Sequence, residues 1–282
     1  MQTVNWTILE NKVSIWVREA GEKIKKSFAA PTPLEVSSKS AYNDLVTNMD
    51  RSIEQYLVEK IRTNYPGQSI ISEEGFGDKP DTVNGILWFV DPIDGTLNFV
   101  KQQRFFAISI AVYENGKGKA AFIYDVMADE FFHCLAGQGA YLNSEKLKPI
   151  KNCVLKDAML DLSMSWLKPN KRIDENVLTD VIQTCSGTRS YGAASIELAY
   201  VAAGFLNAYF TMRLSPWDYA AGLILIHEVG GIATRVDGRP IDLLTKQTSL
   251  LVAGPTLHGE ITNHIRVKIN EGKNVNEPDS VS

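Results

Sequence analysis

Trp88-Phe89-Val90-Asp91-Pro92-Ile93-Asp94-Gly95-Thr96-Leu97-Asn98-Phe99 is the stretch on which the reading of this chain turns. An apolar strand ends in a carboxylate, a proline fixes the turn, and a second carboxylate follows three residues later. Gly95-Thr96 then opens a short helix. Asp91 and Asp94 can both face one cation, and the carbonyl between them can add a neutral oxygen. The free amides of Gly95 and Thr96 can receive a phosphate at the helix start. Magnesium suits so sparse a donor set, because it keeps several waters and takes a few carboxylates together with substrate phosphate. Asp-x-x-Asp-Gly is also ordinary turn chemistry, and by itself this spacing reads as a plain strand-to-loop turn.

The flanking sequence supplies more acids at element ends. Ser69 to Ser72 is a short β-type run that delivers Glu73 and Glu74, and Gly85 to Val90 is the strand that ends at Asp91. Thr47 followed by Asp50 resembles a capping box with Asp in place of Glu, and Ile53, Leu57 and Ile61 place a helix behind it that stops near Pro66-Gly67. Before it, Leu9, Val13, Trp16, Val17, Ala20, Ile24 and Phe28 recur at helical spacing from Trp6 onward, until Pro31 and Pro33 end the helix. The serine-rich segment from Thr32 to Tyr42 reads as a mobile loop.

Beyond the central stretch, Phe105 to Tyr141 reads as a meander of antiparallel strands, with Asn115-Gly116 as a hairpin turn and Gly137/Gly139 as a later one. From about Lys151 the texture changes to mixed helix and strand. Helices are expected near Ile173 to Thr184 and from Gly192 to Phe205, a strand at Leu206 to Met212, and a helix from Pro216-Trp217-Asp218 through Val229. Residues 1–150 are thus expected to form an α+β half with most of the acids, residues 151–270 an α/β half with Asp218, and residues 271–282 a frayed polar tail.

Composition excludes several classes. The 282 residues carry 29 Lys+Arg against 33 Asp+Glu, a net charge of −4, with 44% hydrophobic and 22% charged residues, so a disordered or low-complexity chain is ruled out. That balance gives no cause to expect nucleic acid or an anionic membrane as partner. Cys134, Cys153 and Cys185 are too few and too scattered for a disulfide framework or a zinc site. The first residues lack a signal-peptide pattern, and no run of 18 apolar residues occurs, so a soluble cytoplasmic protein is expected. None of the four histidines stands beside Glu73, Asp91, Asp94 or Asp218 in sequence, which leaves no evident base for a covalent nucleophile.

Each acid has a plain structural reading: Glu73-Glu74 a solvated strand end, Asp50 a cap, Asp218 a first-turn acid favoured by the helix dipole. Together they resemble something specific. Asn43-Asp44-Leu45-Val46-Thr47-Asn48-Met49-Asp50, Ile71-Ser72-Glu73-Glu74-Gly75, Trp88 through Phe99, Pro216-Trp217-Asp218-Tyr219-Ala220-Ala221-Gly222, Glu228-Val229-Gly230-Gly231 and Leu251-Val252-Ala253-Gly254 resemble, in order, the motif set of the inositol monophosphatase family. The match spans about Asp44 to His258.

The resemblance implies a layered αβαβα sandwich of mixed α+β and α/β character, magnesium-dependent, lithium-sensitive hydrolysis of the phosphate monoester of a small substrate, and a homodimer. It implies that Glu73, Asp91 and the Ile93 carbonyl hold one Mg²⁺, that Asp91, Asp94 and Asp218 hold a second with Asp91 bridging, and that a third, weaker Mg²⁺ binds beside Glu73. Glu73 and Thr96 would orient the attacking water, Asp50 would support Thr96 from behind, and the Gly95 and Thr96 amides would contact the phosphate. Gly192-Ala193-Ala194-Ser195 matches the family's small-residue substrate wall, which is equally a pattern for close helix packing.

The pattern departs at one place. Inositol-specific members carry an acid seven positions before the last metal ligand, where this chain has Thr211, followed by Arg213. A threonine accepts polyol hydroxyls weakly, and an arginine offers a fork suited to a second phosphate. Three functions therefore stand side by side: a phosphatase for inositol 1-phosphate or related sugar and polyol phosphates; a phosphatase for NADP(H), 3′-phosphoadenosine 5′-phosphate or fructose 1,6-bisphosphate on the same site; and a non-catalytic regulatory relative. The joint presence of Glu73, Asp91, Asp94, Thr96 and Asp218 speaks against the third.

Overall fold

The computed structural model describes residues 4–28, 36–38 and 45–278. The chain begins with helix α1 (Trp6–Phe28), a ribbon of β1 (Val36–Ser38) and β2 (Leu45–Thr47), and helix α2 (Asn48–Asn64). Next come β3 (Ser69–Ser72), β4 (Ile86–Asp94) and the short helix α3 (Thr96–Gln102). The strands β5 (Ala107–Glu114), β6 (Lys117–Asp125), β7 (Glu130–Leu135), β8 (Gly139–Leu142) and β9 (Glu145–Lys146) then complete a seven-stranded sheet in sequential order from β3. Only β3 and β4 pair parallel within it. The later part contributes β10 (Met159–Leu162), α4 (Glu175–Thr184), β11 (Gly187–Arg189), α5 (Ala194–Ala203), β12 (Ala208–Leu214), α6 (Pro216–Glu228), β13 (Ile232–Thr234), β14 (Thr248–Ala253) and α7 (Pro255–Asn270). Its five strands form a second sheet in the order β11-β10-β12-β14-β13.

Strand alternation sorts the side chains into layers. Trp88, Val90, Ile108, Ile110 and Phe122 point from the first sheet into a core with Val13, Val17, Ile24, Ile53 and Leu57 of α1 and α2. Their strand neighbours Leu87, Phe89, Ala111, Tyr113 and Ile123 face the opposite way, onto α5 and α6. Those two helices meet Tyr209, Leu250 and Val252 of the second sheet, whose other face packs Phe210, Met212 and Leu251 under α4 and α7. The order α1/α2, sheet, α5/α6, sheet, α4/α7 is the αβαβα sandwich that the resemblance implies. Helix α6 is apolar all round, with nine of its residues buried, because it sits between two sheets. Gly222 lets it approach α5 closely: a Cβ there would lie 2.5 Å from Leu198 Cδ1 and 2.6 Å from its Cβ. None of the described helices is long and apolar enough to cross a membrane.

Three segments differ from the sequence expectation. The strand expected to end at Asp91 runs on to Asp94, with its register against β5 shifting between the two acids. Pro92 is accommodated at this bulge, where the ladder is interrupted and a missing N–H leaves nothing unpaired. Within the expected loop from Thr32 to Tyr42, Val36–Ser38 pairs with β2; the rest of that segment, with Pro31, Asn43 and Asp44, lies outside the described residues. Part of the tail expected to fray is docked. Val275 bridges Ile173, Asn276 N donates to Arg172 O at 2.6 Å, and the buried Glu277 accepts from Ser249 Oγ at 2.6 Å and pairs with Arg235 at 3.3 Å. The partners that hold it stand far back in the chain, so polar composition alone pointed to solvent.

Candidate active site

The bulge at the end of β4 is where the acids gather. The carboxylates of Asp91, Asp94 and Asp218 offer oxygens that all lie within 4.8 Å of one another. Asp91 Oδ1 accepts the Ile93 amide at 3.0 Å, a local turn that holds the bulge in shape. Asp218 comes from the other half of the chain. Ser109, opposite Asp91 on β5, reaches the Trp217 carbonyl with its hydroxyl at 3.5 Å, and Pro216 starts α6 there. Asp218 Oδ2 accepts the Ser215 amide at 2.8 Å, so the capping role and the place in the cluster coexist in one residue. Glu73 follows β3, whose parallel pairing sets Ser72 opposite Val90, and the Glu73 amide donates to Val90 O at 3.3 Å. That puts its carboxyl against Asp91.

Burial pushes the Asp91 carboxyl well above the usual carboxylate range, and Glu73, Asp94 and Asp218 push it further. Burial also raises Asp94, while the Ser195 hydroxyl and amide and the Ala194 and Gly95 amides oppose the rise. Like charges this close cannot all stay ionised in a buried site without a cation. The donor set is all oxygen, the hard kind that Mg²⁺ takes, so the residues fit that ion.

Thr96 begins α3, and its Oγ1 lies 3.1 Å from Asp50 Oδ1 and 3.2 Å from the Ile93 carbonyl, both acceptors. The other Asp50 oxygen caps α2 from within the expected box: it accepts the Thr47 amide at 2.9 Å and the Thr47 hydroxyl. Burial raises the Asp50 carboxyl, and the hydrogen bonds from Thr47 and Thr96 oppose that. The predicted helix cap and the predicted support for Thr96 are therefore the two ends of one carboxylate.

Gly95 has φ of 85°, a conformation that suits glycine, and a Cβ on it would lie 3.0 Å from both Ala193 Cβ and the Phe105 carbonyl. The predicted wall of Gly192, Ala193 and Ala194 thus abuts the start of α3. Four residues hold this arrangement: Asn98, Glu197 and Glu54, to which sequence reasoning gave no role, and Ser195, which it placed only in the wall. Asn98 Nδ2 donates to Tyr191 O at 2.6 Å and Phe105 O at 2.8 Å. Glu197 Oε1 accepts the Tyr191 and Gly192 amides at 2.8 and 2.7 Å. Ser195 donates its amide and hydroxyl to Asp94 Oδ2 at 2.6 and 2.5 Å. The buried Glu54 accepts from Ser72 Oγ and the Glu74 and Phe76 amides, at 2.6, 2.6 and 2.9 Å, and so shapes the turn that carries Glu73. None had a local signal: the Ser195–Asp94 contact joins positions 101 apart.

Thr211 and Arg213 are not among the residues these bonds tie to the cluster. Thr211 is buried on β12 where the strand's register shifts, and its hydroxyl accepts the Arg213 amide at 3.5 Å. Arg213 is exposed and near Arg172, whose charged guanidinium is disfavoured first by burial and then by Arg213.

The model of the inositol monophosphatase family matches residues 9–270. The chain is 48% identical over 257 residues to the inositol-1-monophosphatase of Bacillus subtilis (strain 168), covering 91% of this chain and 96% of that one. It is 38% identical over 229 residues to the Nus factor SuhB of Escherichia coli (strain K12), covering 81% and 85%. The crystal structure of inositol monophosphate bound SaIMPase-II matches with a TM-score of 0.83 and 36% identity, covering 94% of this chain and 96% of that one. With the acids, the sandwich and these likenesses in agreement, the chain belongs to the inositol monophosphatase family and is a phosphoric monoester hydrolase.

Proposed function

We propose that the chain is a Mg²⁺-dependent, lithium-sensitive phosphatase that hydrolyses inositol 1-phosphate and related sugar or polyol phosphates with water as the attacking group. The observation that carries this reading is the meeting of the Asp91, Asp94 and Asp218 carboxylates beside the Asp50–Thr96 hydrogen bond at the start of α3. The names of the Bacillus relative and of the SaIMPase-II complex support the polyol phosphate as substrate. Glu73, Asp91 and the Ile93 carbonyl would hold one ion, and Asp91, Asp94 and Asp218 the other. When bound, such ions supply Lewis acidity and neutralise charge at the phosphate.

The chain's own groups do the rest. Asp50 takes the Thr96 hydroxyl hydrogen, which leaves the Thr96 oxygen to accept a hydrogen from the attacking water together with Glu73. The Gly95 and Thr96 amides bind phosphate oxygens, and Gly192, Ala193 and Ala194 bound the space for the alcohol portion. Three histidines are engaged elsewhere: His133 with Glu10, His258 with Thr234 and His264 with the Val177 carbonyl.

Phosphate release from a panel of esters, with Mg²⁺ and with excess EDTA, tests the reading. Inositol 1-phosphate is expected to give the highest kcat/KM, release to stop in EDTA, and millimolar lithium to inhibit. A higher kcat/KM for NADP, 3′-phosphoadenosine 5′-phosphate or fructose 1,6-bisphosphate would transfer the assignment to substrates with a further phosphate. Release from none would leave a non-catalytic relative.

A further inference from the structure

A second buried acidic pair stands behind the wall turn, and the proposed reaction does not use it. Asp161 lies in β10, between β11 and β12. Its neighbours Leu160 and Leu162 point into the core under α4 and α7, so its own side chain takes the opposite face of the sheet, toward α5. It is 1% exposed, and neither of its oxygens meets a hydrogen-bond donor among the described residues. The group that lies against it is the Glu197 carboxyl, itself 4% exposed. The Tyr191 amide is also near Asp161, but its hydrogen is directed to Glu197 Oε1.

Among the described residues no cation relieves this pair. Asp161 and Glu197 feel each other's charge, and Glu197 also feels that of Asp94. On β12 the residue opposite Asp161 is Tyr209, whose hydroxyl burial and both acids keep protonated. On β11 it is Arg189, which is exposed and has its guanidinium on the Thr188 carbonyl. Two buried carboxylates without a donor between them would cost far more than one proton shared by the pair. The proton belongs on Asp161, because Glu197 already accepts two amides that favour its charged form and Asp161 accepts none. In keeping with this, Asp161 is pushed up to about 9 and Glu197 to about 7, with burial the first cause in both.

We propose that Asp161, as a carboxylic acid, donates a hydrogen bond to Glu197 and through it positions the turn from Tyr191 to Ala194 against Gly95. Glu197 is the joint in this chain. It holds the turn by two amides, and two residues earlier on the same helix Ser195 holds Asp94. Asp161 is thus a positioning residue, and the activity readout of this inference rests on the phosphatase reading.

Three measurements on the full chain test it. The infrared spectrum at neutral pH is expected to contain a carboxylic-acid C=O stretch that Asp161→Asn removes. Asp161→Leu, which has no donor, is expected to raise KM for inositol 1-phosphate about tenfold with a smaller change in kcat, and Asp161→Asn, whose amide can donate to Glu197, to restore KM to within about twofold. Asp161→Leu must melt cooperatively for its kinetics to count; if it does not fold, the infrared band and the Asp161→Asn kinetics decide. Absence of the band, an unchanged KM in folded Asp161→Leu, or an Asp161→Asn KM as high as that of Asp161→Leu would each overturn the proposal. Loss of the phosphatase reading would show differently, as no turnover by the unmodified protein, and the infrared test would still stand.

Discussion

The cluster of Asp91, Asp94 and the partly buried Asp218, and the pair of Asp161 and Glu197, are neighbouring sets of acids with opposite settings. In the first set every member receives a donor that favours its charged form: the Ile93 amide for Asp91, Ser195 for Asp94, the Ser215 amide for Asp218. In the second set Glu197 has two such donors and Asp161 has none. Density of carboxyls therefore does not by itself mark a cation site. Supported carboxylates remain available to a metal, whereas an unsupported one keeps its proton and becomes a hydrogen-bond donor.

The largest effect that could break this contrast is on turnover. Asp94→Asn or Asp218→Asn removes a charge from the supported set, and kcat is expected to fall on the order of 10³-fold at saturating Mg²⁺. Steady-state kinetics check it, and a fall of less than tenfold would place the two sets on an equal footing. Next comes Thr96→Ala, expected to lower kcat about 10²-fold while Mg²⁺ binding by titration calorimetry changes little. A parallel loss of Mg²⁺ affinity would show that Thr96 serves the metal ligands and not the water.

A smaller effect sharpens the contrast through pH. The folded chain holds the Asp161 proton up to about 9, whereas the unfolded chain releases it near the ordinary value of 3.8. Between those values the native state binds more protons than the unfolded one, so this group's contribution falls as pH rises, by up to about 1.4 kcal/mol per pH unit. Urea unfolding of the metal-free protein from pH 5 to 8.5 is expected to show a shallower decline for Asp161→Asn than for the unmodified chain. Parallel curves would mean that Asp161 is ionised in the native state. The smallest effect is expected at Thr47, whose hydroxyl accepts the Met49 amide at 3.1 Å and the Asp50 amide at 3.3 Å. Thr47→Ala should cost about 1 kcal/mol of stability by chemical denaturation. No loss would mean that Asp50 holds the start of α2 unaided.

How much could be read in advance follows the range of the interactions. The Thr47–Asp50 box, the Asn115-Gly116 hairpin with φ of 51° and 74°, and Pro216 at the start of α6 are local devices, and each stands where the residues put it. The acids of the candidate site were legible as a set because their spacing resembles a family pattern, while each alone looked like a turn or a cap. The bulge at Pro92 was not, since a proline after a strand acid reads as a stop and only the pairing with β5 shows that the strand continues. Glu54, Asn98, Ser195 and Glu197 act on partners brought together by the layering of two sheets, and neither periodicity nor composition encodes that.

Gly222 has a consequence for ion size. The two helices it brings together each govern one side of the acidic cluster: α5 holds Asp94 through Ser195, and α6 carries Asp218. A methyl group at 222 would run into Leu198 and force the helices apart, and the span between those two carboxylates would widen with them. Mg²⁺ accepts oxygens only near about 2.0–2.1 Å, whereas Ca²⁺ takes them at about 2.3–2.6 Å. A residue with no side chain, one helical turn beyond Asp218, would thereby bear on the radius of cation that the cluster could close around.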